Sequence, residues 1–322
     1  MDEVYVESEF APLRTVVLAR SEVAIPVSAA TSGDSRFLAE GWQRNPVGKD
    51  MREGAPERQA AWERERDRFR EVLEAHGVRV LRPRRLSDQE KAEAGEDGYA
   101  NFFARDPFFT IGDQVIEASM RFRHRRREVL PVRDVLLDHV LPAQCGYVAL
   151  PMPETPEPGD ATLGRGPFLE GGDVLVLGSH VFVGDSGLAS NRLGARWLAK
   201  YLAPHGYTVE RVRLHEQILH LDCALGLVRE GLLVVCEEAL LDGVPPILRD
   251  WDRVPVSLEK ATALATNGLP LDQGSYITDP AFADVGERLA ARGIHVEYVD
   301  FSITRSLGGS FRCSTQPLLR RD

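Results

Sequence analysis

The run SLGGSFRCST, residues 306–315, puts a single thiol, Cys313, nine residues from the end of the 322-residue chain. Gly308 and Gly309 free the backbone there for a tight turn or a close approach to a ligand, and Arg305 and Arg312 add positive charge of the kind that favours a thiolate. Cys145, Cys223 and Cys236 lie in apolar stretches that suit core thiols. On local features alone Cys313 suits a reactive thiol and a buried one equally. The other residues able to do chemistry are Arg105 and Asp106 in FFARD, Glu170 and Asp173 in EGGD, and His220 and Asp222 in HLD. A cysteine and a histidine with flanking carboxylates are the parts of nucleophilic catalysis, the thiolate attacking and the imidazole moving the proton. Acids in this number repel one another unless a cation sits among them. His220 with Cys223 lacks the second pair of ligands that a zinc site needs, so no metal is expected. A planar guanidinium matches carboxylates in bidentate pairs, and the expected substrate is a guanidino compound. Taken singly, each residue also has an ordinary role. His220 between Leu219 and Leu221 suits a hydrogen-bonded core histidine, EGGDV suits a turn into a strand, and each Asp suits a turn cap.

These residues must be positioned by elements that repeat. Four segments share a helical stretch, a glycine and then a strand: VLEAHGVRVL around Gly77, LPAQCGYVAL around Gly146, LAPHGYTVERV around Gly206 and LAARGIHVEYV around Gly293. A glycine just past a helix end supplies the left-handed C-cap. The clearest helix is expected over Glu57 to His76, with Trp62, Phe69, Val72 and Leu73 on one face and charged residues filling the rest. RDPFFTIGDQVIEA, GGDVLVLGSHVFVG and LDCALGLVREGLLVVC each read as an acidic lead-in to a hairpin, with turns at Gly112-Asp113, Gly178-Ser179 and Arg229-Glu230-Gly231. The spacing is too uneven for a solenoid. If the hairpin–helix–strand units are arranged cyclically, Asp106, Asp173 and Asp222 occupy the same place in each and converge on the axis. Two long stretches interrupt the pattern: Ile25 to Ala55 and the Pro-rich run PMPETPEPGDATLGRGP. The first is expected to cover or flank the site, although a mobile surface loop fits it as well.

Composition bounds the rest. With 43% hydrophobic residues the chain can bury a large core, and 49 acidic against 39 basic residues give a formal charge of −10, which argues against general nucleic-acid binding. The basic run RFRHRRRE (121–128) therefore reads as a solvated or substrate-facing segment. Four irregularly spaced cysteines make no disulfide framework, no signal peptide or membrane-length apolar run is visible, and no phosphate-cradling glycine motif is present. A soluble, cytoplasmic protein with no cofactor is expected, and a homodimer is the commonest assembly for such a chain.

The ordered set FFARD, EGGD, HLD and a C-terminal Cys flanked by Gly-Gly resembles the guanidino-group-modifying penteins, which include arginine deiminase, dimethylarginine dimethylaminohydrolase and the arginine:glycine and inosamine-phosphate amidinotransferases. The resemblance runs from SEFAPLRTVVLAR to LGGSFRCST. ARDPFFTIGDQVIEASMRFRHRRRE, SNRLGARWLAKYL and SLGGSFRCST look most like the amidinotransferase branch. Where the deiminase and dimethylargininase branches carry an Arg in G-x-S-x-R-T, which helps hold the substrate carboxylate, this chain reads GDSGLASNRLG. The resemblance implies an α/β fold, a five-fold pseudo-symmetric propeller of ββαβ units around a central site, in one catalytic domain spanning 1–322. It also implies that Cys313 attacks the guanidinium carbon and His220 protonates the departing amine. Asp106 and Asp222 would hold the guanidinium, Asp173 would orient His220 or touch substrate, and Glu170, Arg105 and Gly309 would assist substrate binding. The expected activity is transfer of an amidino group from L-arginine or a similar donor to an amine acceptor through an amidino-cysteine. A hydrolase using water as second nucleophile, and a binder that has lost turnover, are the alternatives.

Overall fold

A computed structural model describes residues 3–27, 47–154 and 164–322. The chain lays down β1 (Tyr5–Val6), β2 (Leu13–Leu18) and β3 (Glu22–Ala24), then crosses by the helix Pro56–Ala75 to β4 (Arg79–Leu81), and β5 (Tyr99–Asn101) pairs antiparallel with β3. Three-stranded sheets follow in sequence: β6 (Phe108–Ile111), β7 (Gln114–Glu117) and β8 (Gly146–Ala149); β9 (Val174–Leu177), β10 (His180–Asp185) and β11 (Thr208–Arg213); β12 (Leu225–Arg229), β13 (Leu232–Val235) and β14 (Asp252–Pro255); β15 (Leu269–Asp272), β16 (Ser275–Thr278) and β17 (His295–Tyr298). The last strand, β18 (Thr315–Arg320), returns to lie between β1 and β2. In each three-stranded sheet of this series a tight antiparallel hairpin is followed by a strand parallel to its second arm. The β18–β2–β4 trio repeats that order of directions across the two ends of the chain.

The hairpins form where the sequence places turn residues between apolar runs. Ile111 pairs with Gln114 and Leu177 with His180, leaving the two-residue turns Gly112-Asp113 and Gly178-Ser179 that match strand twist. A fourth hairpin, β15–β16, was not anticipated from the sequence, because Pro270 inside its first arm disguises the strand. Gly77, Gly206 and Gly293 follow helical turns with positive φ as expected, whereas Gly146 does not. Gly146 is instead the first residue of β8 opposite Gln114, where a Cβ would come within 2.1 Å of the Gln114 side-chain oxygen.

The helix Pro56–Ala75 buries Trp62, Phe69, Val72 and Leu73, as its periodicity predicts. Its inner face also carries Gln59 and Arg66, so charge is not confined to the solvent side. Phe69 meets Phe301 and Phe311 edge-on at 5.1 and 5.0 Å, and Trp62 Nε1 donates to Thr304 Oγ1 at 3.0 Å. Burying each large apolar side chain contributes about 1.5–3 kcal/mol, so this helix clamps the segment that leads to Cys313. Bridges Val6–Gly112, Ser119–Leu169 and Leu214–Leu240 stitch neighbouring sheets together. Among the described residues no helix is long and apolar enough to cross a membrane. The expected cover over Ile25 to Ala55 lies, for residues 28–46, outside the described residues, as do residues 155–163 of the Pro-rich run.

Candidate active site

The chemistry-bearing residues stand in the short lead-ins to the first strand of each sheet. Asp106 precedes β6, Glu170 to Asp173 precede β9, His220 to Asp222 precede β12, Asn267 precedes β15 and Cys313 precedes β18. Asp106, Asn267 and Cys313 each sit two residues before their strand. These first strands are buried along nearly their whole length, so their lead-ins are drawn into the interior with them. A cavity of about 630 Å3 opens onto Asp106, Arg125, His220, Cys223 and Cys313, with Arg305 on its wall.

Cys313 is 3% exposed, and its backbone N–H donates to Asn267 Oδ1 at 3.2 Å. Its Sγ lies 4.0 Å from Asp222 Oδ2, while Cys223 Sγ lies 3.5 Å from Asp222 Oδ1, so two thiols flank one carboxylate. Burial and the carboxylates of Asp222 and Asp106 push the Cys313 thiol well above its usual range. The nearby arginines do not reverse this, because their charge is already committed. Arg312 donates to Glu9 Oε2 and Oε1 at 3.0 Å and to Asp222 Oδ2 at 2.8 Å, and Arg305 Nε donates to Asp279 Oδ2 at 2.8 Å. The thiolate that those arginines led one to expect is therefore not favoured in the free protein; the resting thiol is protonated.

His220 is held the other way. Burial opposes its charge, but Asp106, Glu170 and Asp173 outweigh burial and raise it to about 10, so it rests as an imidazolium. Nε2 is 2.9 Å from Glu170 Oε2, which leaves Nδ1, 3.8 Å from Asp106 Oδ1, as the nitrogen free to give up a proton. Asp106 accepts from Gly172 N at 2.9 Å on Oδ1 and from Arg125 Nη2 at 2.7 Å on Oδ2. Burial works against its charge, and His220 and Arg125 overcome that to keep its carboxyl low.

Several expected roles are redistributed. The bond that orients His220 comes from Glu170, not from Asp173. Asp173 closes the turn Gly171–Asp173, which swings its carboxylate away from the cavity to accept from Leu221 N at 2.9 Å and Ser190 N at 3.2 Å. Arg105 does not face the cavity either. Its Nε donates to Arg312 O at 3.2 Å, its N–H donates to Cys313 O at 3.1 Å, and burial lowers its guanidinium to about 9. Gly309 provides space, since a Cβ there would meet the Phe103 ring at 2.3 Å and Cys313 Cβ at 3.0 Å, while Gly308 lines the wall. Asp222 stays beside the thiol but shares an oxygen with Arg312. Cys223, expected to be a core thiol, faces the cavity.

Arg125, Asn267 and Glu128 were not singled out by the sequence. Arg125 is a buried guanidinium that donates to Asp106, to Glu170 Oε2 at 3.1 Å and to both oxygens of Glu128 at 2.8 and 2.9 Å. The signal for it was the Arg125–Glu128 spacing of three, which pairs the two on one turn. Asn267 could have been found by extending the repeat to NGLPLDQGSYIT. In the segment that departs from G-x-S-x-R-T, Asn191 caps the following helix through Gly194 N at 2.8 Å, and Arg192 does not line the cavity.

The family model described as arginine deiminase matches residues 97–268, over half of the chain. The chain is a pentein of this family. Amidinotransferases stand among its relatives. It is 28% identical, over 99% of its length and 97% of that protein's, to the putative inosamine-phosphate amidinotransferase 2 of Streptomyces griseus. It is 29% identical, over 79% of this chain and 78% of that one, to the uncharacterized protein YkgA of Bacillus subtilis (strain 168). This pentein's fold is similar to that of SxtG, an amidinotransferase of Microseira wollei, with a TM-score of 0.82, 22% identity and coverage of 99% and 98% of the two chains. DDAH from Pseudomonas aeruginosa shares the fold at a TM-score of 0.67 and 18% identity, covering 95% of this chain and 99% of that one.

Proposed function

We propose that this pentein transfers an amidino group from L-arginine, or a donor carrying the same guanidino group, to an amine acceptor through a covalent amidino-Cys313. The observation that carries this reading is the placement of the protonated Cys313 thiol and the His220 imidazolium in a single cavity lined by Asp106, with Asp222 4.0 Å from the sulfur. A guanidinium entering between Asp106 and Asp222 neutralises the two charges that hold the proton on Cys313, so substrate itself lowers the thiol pKa and the proton leaves to water. Each oxygen of Asp106 retains a lone pair beyond its bond to Gly172 or Arg125, so the carboxylate can still accept from substrate. The thiolate then forms an S–C bond to the guanidinium carbon while His220 Nδ1 gives its proton to the departing amine as the C–N bond breaks. The second half reverses these roles: an amine nitrogen attacks the thiouronium carbon, neutral His220 takes its proton, and the S–C bond breaks to return Cys313 as thiolate. Glu170 holds His220 in register through both halves.

The same reading takes the sheets as modules arranged cyclically around the cavity in one catalytic domain. The repeated order of strand directions, the bridges between successive sheets and the matched positions of Asp106, Asn267 and Cys313 support it. Transfer is favoured over hydrolysis by the amidinotransferase relatives and by the absence of a cavity-lining arginine from GDSGLASNRLG. Hydrolysis is the second reading, favoured by the arginine deiminase family match. Incubation with arginine and a panel of amines decides between them. Transfer releases ornithine only when an acceptor is present, whereas citrulline in water alone marks a hydrolase. An unmodified protein that binds arginine tightly marks a binder without turnover.

A further inference from the structure

At the carboxyl ends of the parallel strands β2 and β4 a second pocket of about 140 Å3 is walled by arginines. Arg20 follows β2, Arg82 follows β4 and Arg66 projects from the helix that connects them, with Arg52 and Arg85 completing the set; Glu63 and Asp67 are the acids of the lining, and Arg52 also pairs with the buried Glu22 at 3.3 Å. Glu63 is already engaged by Arg52 at 2.8 Å, and Asp67 approaches Arg82 no closer than 3.9 Å. The innermost cation is the informative one. Arg66 is 1% exposed, its Nη2 reaches only Phe102 O at 3.3 Å and Thr304 Oγ1 at 3.4 Å, and its Nε and Nη1 have no hydrogen-bond partner among the described residues. Arg82 Nε and the buried Ser21 hydroxyl are likewise unpartnered there, and the bonds that Arg20 and Arg82 do make go to the carbonyls of Pro83 and Ala19.

Buried cations are normally paired, and an isolated one is costly enough to shed its charge. Burial lowers Arg66 to about 9 against the pull of Glu65, and lowers Arg82 to about 10 against that of Asp67, with repulsion between the guanidiniums contributing. One ring face, Phe301 at 5.2 Å from the Arg66 guanidinium carbon, supplies only partial compensation. What the pocket lacks is negative charge with several acceptor oxygens. At about 30 Å3 per water the volume equals four to five waters, enough for a five-atom oxyanion. Donors arriving from two strand ends and a crossing helix suit a tetrahedral group better than a flat carboxylate, and guanidinium and phosphate geometries match.

We propose that Arg20, Arg66 and Arg82, with Ser21, form a binding site for a phosphate group, separate from the cavity that holds Cys313. The site takes either free inorganic phosphate or the phosphoryl end of a small phosphate monoester. Because it shares no lining residue with the cavity that holds Cys313, the proposal stands whether or not the transfer reaction does.

The test uses the full chain and two probes, inorganic phosphate and glycerol phosphate, titrated at constant ionic strength set with sodium chloride. Isothermal titration calorimetry and Tm are the readouts. Inorganic phosphate is expected to bind saturably and to raise Tm, and the double variant Arg20→Gln/Arg82→Gln is expected to weaken binding at least tenfold, about 1.4 kcal/mol. Arg66→Met removes the unpaired buried charge while keeping a flexible, unbranched apolar stem. Its Tm without phosphate should equal or exceed that of the wild type, and its response to phosphate should be lost. Tighter binding of glycerol phosphate than of inorganic phosphate would assign the site to a monoester, and the reverse to the free anion. A Tm rise that chloride reproduces, that does not saturate, or that persists unchanged in both variants overturns the proposal.

Discussion

Replacing Glu170 by Gln should uncouple the imidazolium from the reaction. The wild-type bond joins two charged groups at 2.9 Å inside the protein, and His220 is raised to about 10 by Asp106, Glu170 and Asp173 acting against burial. A hydrogen bond to a charged group contributes about 1.5–3 kcal/mol, and one pKa unit corresponds to about 1.36 kcal/mol. Loss of the Glu170 charge should therefore lower His220 by about one to two units, to roughly 8–9, with Asp106 and Asp173 keeping it above a free histidine. Arg125 pulls in the same direction, because the variant strips it of a carboxylate partner and leaves its charge less balanced beside the ring. The direct assay is NMR titration of the 15N-labelled imidazole in the wild type and Glu170→Gln. The kinetic counterpart is the alkaline limb of adduct formation measured by intact mass, which should move down by the same one to two units because protonated His220 is the proposed acid. Wild-type His220 titrating near 6.5, or a variant that titrates where the wild type does, would refute the reasoning.

Asp173→Asn should act on stability rather than on chemistry, since its two oxygens accept from the amides of Leu221 and Ser190 and an Asn can serve only one of them. A loss of about 1–3 kcal/mol in urea unfolding is expected, with a smaller loss of kcat/KM than Glu170→Gln gives. Burial pushes the Asp173 carboxyl up from 3.8 to about 7 against the pull of His220, so its contribution to wild-type stability is complete below pH 3.8 and fades as pH rises through about 7. The variant should lack that slope. Cys313 should react slowly with iodoacetamide at neutral pH and at least tenfold faster in Asp222→Asn or with a bound guanidinium ligand, as quantified by peptide mass spectrometry. Gly309→Ala forces a Cβ to within 2.3 Å of the Phe103 ring and 3.0 Å of Cys313 Cβ, and should cost about 1–3 kcal/mol of stability by denaturant unfolding together with most of the adduct-forming rate.

The sequence carried the elements and most of the residues that gather around the cavity better than it carried their directions. Trp62, Phe69, Val72 and Leu73 share a helical face by periodicity alone, and the hairpin turns at Gly112 and Gly178 follow from backbone preferences local to a few residues. In EGGD, by contrast, two carboxylates three residues apart are equivalent on paper, and only the turn Gly171–Asp173 sends Glu170 to the imidazole and Asp173 to backbone amides. The arginines beside Cys313 misled in the same way. Proximity along the chain suggested thiolate stabilisation, but Glu9, more than three hundred residues distant in sequence, captures Arg312. Arg125 and Arg66 were hidden because a long cation on a helix or basic run is ordinarily solvated, and burial of its head depends on partners contributed by other segments.

Cys313 owes its position to the seam where β18 slides between β1 and β2. On the proposed reading, pairing of β18 with β1 and β2 is the step that brings the thiol up to the acids and the imidazole contributed by the intervening sheets. Clipping that strand would therefore be expected to silence the protein while sparing most of its architecture.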